Sequence, residues 1–366
     1  GFSFWIPDSQ SDAQLGVVLM GIMVYACFYS PGFGPVPFTY CAEAFPLYIR
    51  EIGMTYATVV LWFFNSVLAI TWFRMEEVFK PQGAFGWYAA SSFNLEFSLF
   101  HDNGQAVKSA YAGEQWDAQA FARKLDSARQ QLAFLGRPTK ALQPGAYRAY
   151  LAPAALEELV GLCCWGFGAQ ALASGGSPLQ RLFGGKAELN TQVTVDERIE
   201  GGLAPAFTPE GPRQPLRLID RGRPGERLVS SRSAAEYGLT ANGAGRGEYP
   251  LSLHMNGGDL DEREVLQRLG TGLYIGNLWY GNFSDLPAGR LTGMTRFATF
   301  WVEDGQIQAP VDIMRFDDSL FDFLGPQLEA LTREPELLLP SGTYGARQTG
   351  SMALPGALLS RFTLTL

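Results

Sequence analysis

Residues 270–324 read GTGLYIGNLWYGNFSDLPAGRLTGMTRFATFWVEDGQIQAPVDIMRFDDSLFDFL. Within this stretch, apolar residues alternate with other residues on both sides of the tetrapeptide Glu303-Asp304-Gly305-Gln306. The alternating apolar residues are Ala298, Phe300 and Val302 before the tetrapeptide, and Ile307, Ala309 and Val311 after it. A period of two on either side of Asp-Gly is typical of two strands joined by a tight turn. The stretch therefore predicts a β-hairpin with one apolar face.

The residues after this hairpin favour a helix. Asp317 or Asp318 is expected to cap its N-terminus. Apolar residues then recur every three or four positions, at Leu320, Phe323, Leu324, Leu328 and Leu331. A hairpin and a helix that each have one apolar face are expected to pack together, which predicts the α+β fold class.

Local patterns predict further elements in the second part of the chain. Asp117 is expected to cap a helix with one apolar face. The residues of that face are Phe121, Leu125, Ala128 and Leu132. Residues 145–152 alternate as a strand, and Pro153 is expected in the first turn of the helix that follows. Residues 239–258 are expected to be mostly loop, and residues 362–366 a half-buried strand.

Composition divides the chain into two parts. Of its 366 residues 47% are apolar, but residues 13–42 and 52–73 contain no charged residue, whereas charges recur every few residues after about Ser91. Uncharged runs of 30 and 22 residues exceed the roughly 20 residues that cross a bilayer as a helix. The net charge of −8 lacks the basic excess of a nucleic-acid-binding protein. The four cysteines show no zinc-ligand spacing. They also do not form a disulfide framework, which favours a reducing compartment.

Residues 1–90 are expected to form a two-helix transmembrane-type hairpin. Leu15–Tyr40 predicts a first helix, broken near its middle by a cluster of proline and glycine, and Met54–Phe73 predicts a second. The opening residues are not typical of a signal peptide, because no basic stretch precedes a short apolar core. From hydropathy alone, a simple membrane anchor through residues 15–73 is the favoured interpretation.

Three segments of this hairpin resemble fungal sugar porters of the major facilitator superfamily. They are GFGPVPFTYCAEAFPLYIREIGMT (32–55), LWFFNSVLAITW (61–72) and FKPQGAFGWYAA (79–90). The resemblance corresponds to the tenth helix, the eleventh helix and the start of the twelfth. Transport by such porters needs two halves that close around a central site. We therefore expect that this polypeptide does not transport a sugar alone.

The porter resemblance implies roles for four residues. Phe38, where many porters have tryptophan, and Asn65 match positions that line the sugar path. Glu43 and Arg50 match the charged cytoplasmic gate, although charges are also usual in any solvated loop. A second asparagine of the porters falls on Leu61, so one partner for a sugar hydroxyl is missing.

The second part of the chain resembles the TldD/PmbA family, in particular its PmbA-like branch. In addition to residues 270–324, the segments that carry this resemblance are SFNLEFSLF (92–100), AVKSAYAGEQWDAQAF (106–121), PGAYRAYLAPAALEEL (144–159), SRSAAEYGLTANGAGRGEYP (231–250) and LPGALLSRFTLTL (354–366). The family contains zinc-dependent peptidases and their inactive partner subunits. The resemblance implies an α+β domain rich in antiparallel sheet.

Active members of this family carry HExxxH on the helix that follows a strand ending in L-x-P, and a cysteine ligand nearer the C-terminus. In these proteins two histidines and the cysteine bind zinc, and the glutamate is the general base. Aligned on Leu151-Ala152-Pro153, the three helix positions fall on Gly161, Leu162 and Gly166, and no cysteine follows Cys164. The resemblance therefore implies neither catalytic nor metal-binding residues here, with zinc expected only in an active TldD-like partner.

Other candidate residues have simpler interpretations. The two histidines, His101 in a turn sequence and His254, have no partner motif, and Cys163-Cys164 on an apolar helix are expected to be core residues. Asp317-Asp318 are neighbours that point apart, so helix capping explains them better than acid-base catalysis. GAGRG (243–247) lacks the strand and helix of a phosphate loop. The arginines that could meet peptide carboxylates, or only solvent, are Arg290, Arg296 and Arg315.

The resemblance changes at Ala90-Ser91, which predicts a porter-like domain over 1–90 and a TldD/PmbA-like domain over 91–366. Three functional hypotheses follow. The first is a non-catalytic peptidase-family subunit that handles unfolded peptide with a TldD-like subunit or as a homo-oligomer. The second is a fragment of a hexose transporter, and the third is an artificial or mis-assembled chimera. The predicted locations conflict, since residues 1–90 imply a membrane and the TldD/PmbA family is cytoplasmic.

Overall fold

The computed structural model describes residues 86–342 and 347–365, together with Thr55, Val59 and Phe63, which are helical and exposed. The chain divides into two units, residues 1–85 and 86–366. Apart from those three positions, the expected membrane hairpin lies outside the described residues, as do the porter-like residues Phe38, Glu43, Arg50 and Asn65. Among the described residues, no helix combines the length and hydropathy needed to span a bilayer. The domain boundary at Ala90-Ser91 stays a prediction.

The second unit mixes strands with short helices. Its strands are β1 (Phe93–Phe100), β2 (Ala106–Gly113), β3 (Gly145–Leu151), β4 (Val195–Glu197), β5 (Phe207–Thr208), β6 (Gly211–Pro212), β7 (Leu216–Asp220), β8 (Arg223–Pro224), β9 (Ser252–Met255), β10 (Gly272–Asp285), β11 (Arg290–Glu303), β12 (Gln306–Pro310), β13 (Arg315–Ser319), β14 (Leu328–Leu331), β15 (Glu336–Leu338), β16 (Ser351–Leu354) and β17 (Ala357–Leu364). Its helices are α1 (Ala118–Leu135), α2 (Pro153–Cys163), α3 (Ala169–Ala173), α4 (Gln180–Phe183), α5 (Ser231–Tyr237), α6 (Val265–Leu269) and α7 (Leu320–Phe323), with 3₁₀ turns at Cys164–Phe167 and Glu262–Glu264.

Two sheets enclose the main core. The larger has the order β10-β3-β17-β13-β11-β12, and pairing of β10 with β11 closes its strands into a ring. The smaller has the order β15-β16-β9-β4-β7-β8. Helix α2 contacts β10 of the larger sheet and β15 and β16 of the smaller one. Its buried side chains Leu156, Leu159 and Val160 belong to the core cluster that both sheets share. The position of α2 between the sheets is what places the candidate site.

The predicted hairpin at residues 298–311 is confirmed. Val302 pairs with Ile307 and Glu303 with Gln306. Asp304 and Gly305 take φ of 48° and 72°, the left-handed pair that a two-residue type I′ turn requires. Phe300 and Val302 are fully buried, as the alternation indicates. Asp-Gly suits this turn because both residue types tolerate positive φ at low cost.

The predicted helix over residues 320–331 is wrong. Only Leu320–Phe323 is helical, and the capping side chain is that of Ser319, whose Oγ accepts from the Phe321 N–H at 3.2 Å. Gly325-Pro326 follows, and proline cannot supply the next helical hydrogen bond. Leu328–Leu331 instead forms β14 and pairs with β17.

Asp317 and Asp318 therefore lie on β13 and do not cap a helix. Arg290 Nε donates to Asp317 Oδ1 at 2.9 Å. The buried Asp318 accepts from the backbone N–H of Ser319 at 2.9 Å and of Thr363 at 3.2 Å, which joins β13 to β17. The two side chains thus have separate structural roles.

Other local predictions hold. Asp117 caps α1 by accepting from the N–H of Gln119 at 2.8 Å and of Ala120 at 3.2 Å. Pro153 starts α2, directly after strand β3. Residues 239–258 are mostly loop but contain β9, which the sequence analysis did not predict. This strand forms because β4 and β16 pair with it from distant parts of the chain.

Candidate functional site

Helix α2 and the turn after it contain Gly161, Leu162 and Gly166, the positions that the resemblance aligns with HExxxH of active TldD/PmbA peptidases. A Cβ at Gly161 would lie 3.7 Å from Met352 Cε, an ordinary van der Waals contact. Leu162 is half-buried and packs against β10. A Cβ added at Gly281 of that strand would lie 2.7 Å from Leu162 Cδ1. A Cβ at the buried Gly166 would lie 2.9–3.0 Å from Pro178, Leu179 and Ser177. Because protein interiors are close-packed, an imidazole at position 166 would displace these neighbours.

The residues present do not fit the zinc centre of the active peptidases. None of Gly161, Leu162 and Gly166 carries a metal-ligand atom. Cys163 and Cys164 are buried, and burial raises the pKa of the Cys163 thiol well above its usual range and that of Cys164 to about 12. Both cysteines precede position 166, whereas the cysteine ligand of the active peptidases lies nearer the C-terminus. Within residues 86–342 and 347–365, no group of three His, Cys, Asp or Glu side chains is placed to hold a metal ion.

The carboxylates of Glu157 and Glu158 lie on α2 about one turn before Gly161, and they interact with different neighbours. Glu158 Oε1 accepts from the Gly281 N–H at 2.9 Å, at the β-bulge of β10. Glu157 is half-buried, and its pKa is raised to about 7, first by burial and then by Glu158 and Glu96. Lys108 opposes this rise because its positive charge favours the carboxylate. Glu157 therefore exchanges a proton near neutral pH.

Glu157 is not among the functional residues predicted from the sequence. The available signal was the adjacent pair Glu157-Glu158 on an otherwise apolar helix, since such carboxyls are brought close to the core. Perturbed carboxyls are frequent at functional sites, although ion-pair networks perturb them too. Lys108 and Glu96 form such a pair at 3.3 Å.

Neither histidine belongs to α2. His101 follows β1 in a turn, where its Nδ1 accepts from the Asn103 N–H at 3.3 Å. His254 is on β9, opposite Asp196 of β4. Burial lowers the pKa of His254 and Arg198 lowers it further, whereas Asp196 raises it. Neither histidine belongs to a group that binds a metal within the part of the chain that the structure describes.

The three arginines Arg290, Arg296 and Arg315, on β11 and β13, make ordinary structural contacts. Arg290 pairs with Asp317, and Arg315 Nε donates to Thr292 Oγ1 at 2.9 Å. The Arg296 guanidinium lies 4.7 Å from the centre of the Trp279 ring. In the GAGRG segment, Gly243 has φ of 76° and is close to the Pro212 carbonyl, so packing explains this glycine.

A family model described as the PmbA/TldA metallopeptidase C-terminal domain matches residues 144–366. The chain belongs to this family. The PmbA/TldA domain of the chain is similar to metalloprotease PmbA of Escherichia coli O157:H7, with 30% identity over 142 residues, which is 38% of this chain and 30% of that protein. Its fold is similar to the crystal structure of TldE from Thermococcus kodakarensis, with a TM-score of 0.62 and 15% identity over 75% of this chain and 62% of that one.

Residues 1–100 match a second family model, for sugar and other transporters. This part is similar to the human proton myo-inositol cotransporter, with 31% identity over 86 residues. The match covers 24% of this chain and 13% of the cotransporter. Both resemblances are therefore confirmed, and the chain spans only part of the length of each relative.

Proposed function

We propose that the PmbA/TldA domain acts as a non-catalytic subunit of a peptidase complex. Its partner would be a zinc-dependent TldD-like peptidase or a second copy of the chain, and its substrate unfolded peptide. The observation that carries the proposal is the composition of the zinc positions. They hold Gly161, Leu162 and Gly166, and a Cβ at Gly166 would meet Pro178, Leu179 and Ser177 at 2.9–3.0 Å.

The chemistry of metal-assisted peptide hydrolysis is the reason for proposing a non-catalytic role. It needs ligands that hold the ion and a carboxylate that takes a proton from the bound water. At the position of that base the chain has Leu162. Glu157 is the carboxyl on the helix whose pKa is raised, but its charge interacts with those of Glu96 and Lys108, and the described residues offer no metal-ligand set beside it. What this domain retains is the family fold, and we propose that this fold serves assembly and peptide handling.

The test combines metal content with activity. The purified full chain is expected to contain no stoichiometric zinc by mass spectrometry and to cleave no unfolded casein peptide alone. Mixed with a TldD-like zinc peptidase from the same source, it is expected to co-elute in size exclusion and to change the rate of cleavage. One bound zinc per chain together with cleavage by the chain alone would refute the non-catalytic role. Failure to associate, with either the peptidase or a second copy, would refute the subunit role.

A second candidate function is favoured by the transporter match over residues 1–100. We propose that this segment is a membrane-associated fragment of a sugar porter in which Phe38 and Asn65 correspond to the sugar path and Glu43 and Arg50 to the gate. It is expected not to transport alone, because alternating access needs both halves of a porter. Uptake of labelled myo-inositol or hexose above the background of transporter-deficient cells would contradict this.

The predicted locations give a further test. The porter-like segment favours a membrane and the PmbA/TldA domain favours the cytoplasm, so the full chain is expected in the membrane fraction and to require detergent for release. A third hypothesis, a chimera without evolved function, is tested by single-molecule sequencing of the source locus across the codons for residues 85–97. A continuous reading frame there would contradict an assembly error.

A further inference from the structure

A cavity of about 370 Å³ opens beside the 3₁₀ turn that follows α2. Its lining includes Trp165, Gly168, Gln170, Glu248 and Tyr249. The volume lies in the range of cavities that hold small ligands, roughly 300–1,000 Å³. Neither the zinc positions nor the proposed subunit role uses these side chains. The cavity is therefore an independent candidate for a binding site.

Glu248 lines the cavity and is 3% exposed. Its Oε1 accepts from the N–H and the hydroxyl of Ser230, both at 2.9 Å, and its Oε2 accepts from the Gln170 N–H at 2.8 Å. These donors are neutral groups. Each carboxylate oxygen accepts about two hydrogen bonds, so Oε2 can accept one more.

This buried negative charge has no cation beside it in the described part of the chain. The neighbouring Arg246 pairs with Glu210 instead, at 3.5 Å. A buried charge is costly unless it is paired, because the protein interior solvates it poorly. A cation that enters the cavity would supply the missing partner.

The backbone conformation of Glu248 and the close approach of Gly168 both restrict where the Glu248 carboxylate lies. Glu248 has φ of 49°, in the left-handed region that residues with a side chain rarely adopt. A Cβ at Gly168 would lie 2.9 Å from Glu248 Oε2, so the carboxylate occupies space that any other residue type at 168 would fill. Backbone strain of this kind concentrates at ligand sites, where the surrounding structure maintains it.

Aromatic side chains complete the lining. Trp165 is half-buried and its ring packs edge-on against Phe283, with centroids 6.4 Å apart. Tyr249 is 50% exposed. The faces of tryptophan and tyrosine rings attract ammonium and guanidinium groups.

We propose that this cavity binds an organic cation through the Glu248 carboxylate and the rings of Trp165 and Tyr249. The ligand class is a primary alkylammonium or a guanidinium group. Such a group is carried by a free amine or by a lysine or arginine side chain of a peptide. The cavity is large enough for either source.

The test is isothermal titration calorimetry on the full chain. Nα-acetyl-lysine amide and n-butylamine at neutral pH present the cation with and without a peptide backbone. Nα-acetyl-norleucine amide presents the same apolar chain without charge. The lysine amide is expected to bind about tenfold more tightly than the norleucine amide. Equal affinity of n-butylamine and the lysine amide would identify the amine alone as the ligand, and tighter binding of the lysine amide would identify a basic side chain.

Variants locate the binding. Tyr249→Leu is expected to weaken binding of the lysine amide about two- to fivefold, and Tyr249→Phe to retain it, because the aromatic face is kept. Tyr280→Leu is the matched control, since Tyr280 is a 74% exposed tyrosine that does not line the cavity. The proposal is overturned if the norleucine amide binds as tightly as the lysine amide, if neither cation binds, or if Tyr249→Leu and Tyr280→Leu have the same effect.

Discussion

Replacing Glu157 by glutamine should change how the stability of the PmbA/TldA domain depends on pH. The pKa of this carboxyl rises from 4.5 to about 7 on folding, mainly because burial penalises the charged form. Folding therefore strengthens proton binding. The resulting stabilisation is fully present below pH 4.5 and is lost as the pH rises through about 7. Glutamine resembles the protonated carboxyl and does not ionise, so Glu157→Gln keeps this stabilisation as the pH rises.

The magnitude follows from the size of the shift. One unit of pKa corresponds to about 1.4 kcal/mol, so the shift sets an upper bound of about 3 kcal/mol on the change in unfolding free energy. The charges that contribute to the shift are those of Glu158, Glu96 and Glu336, which raise the pKa, and Lys108, which lowers it. Because Glu157 is only half-buried, water screens these charges, and we expect about 1–2 kcal/mol.

The assay is urea unfolding of the full chain and of Glu157→Gln at pH 5 and pH 8, followed by circular dichroism. Between pH 5 and pH 8, the unfolding free energy of the original chain is expected to fall by about 1–2 kcal/mol more than that of Glu157→Gln. Glu114→Gln is the control, because it removes an equivalent charge from an exposed position on the same unit. Parallel pH dependence of the original chain and Glu157→Gln would refute the reasoning.

Three further substitutions test the packing of the domain. Asp117→Ala should lower the unfolding free energy by about 0.5–2 kcal/mol in urea, since α1 loses its cap, and Asp117→Asn should retain most of it. Gly166→Ala should destabilise by about 1–3 kcal/mol, because the new Cβ meets Pro178 at 2.9 Å; an unchanged melting temperature would contradict the tight packing. Arg213→Met should lower the unfolding free energy by about 3–5 kcal/mol, since it leaves the buried Glu197 carboxylate without its ion-pair partner. The double variant Arg213→Met/Glu197→Leu should cost less than Arg213→Met alone.

The elements predicted well are those whose signals lie within a few residues. The Asp304-Gly305 turn, the Asp117 cap and the start of α2 at Pro153 depend on local backbone preferences, and all three are confirmed. The predicted helix at residues 320–331 failed because its apolar spacing also suits buried strand residues. Pairing of β14 with β17, about 30 residues further along the chain, decides that segment.

The sequence by itself determined the two family relationships and the absence of zinc ligands at positions 161, 162 and 166, because these depend only on which side chains follow one another. The tertiary structure decided the room available at Gly166, the raised pKa of Glu157 and the cavity at Glu248. Each of these depends on groups that are distant in sequence, such as Glu96 beside Glu157 and Gln170 beside Glu248. Burial and the distances between such groups are set by packing, which no local pattern encodes.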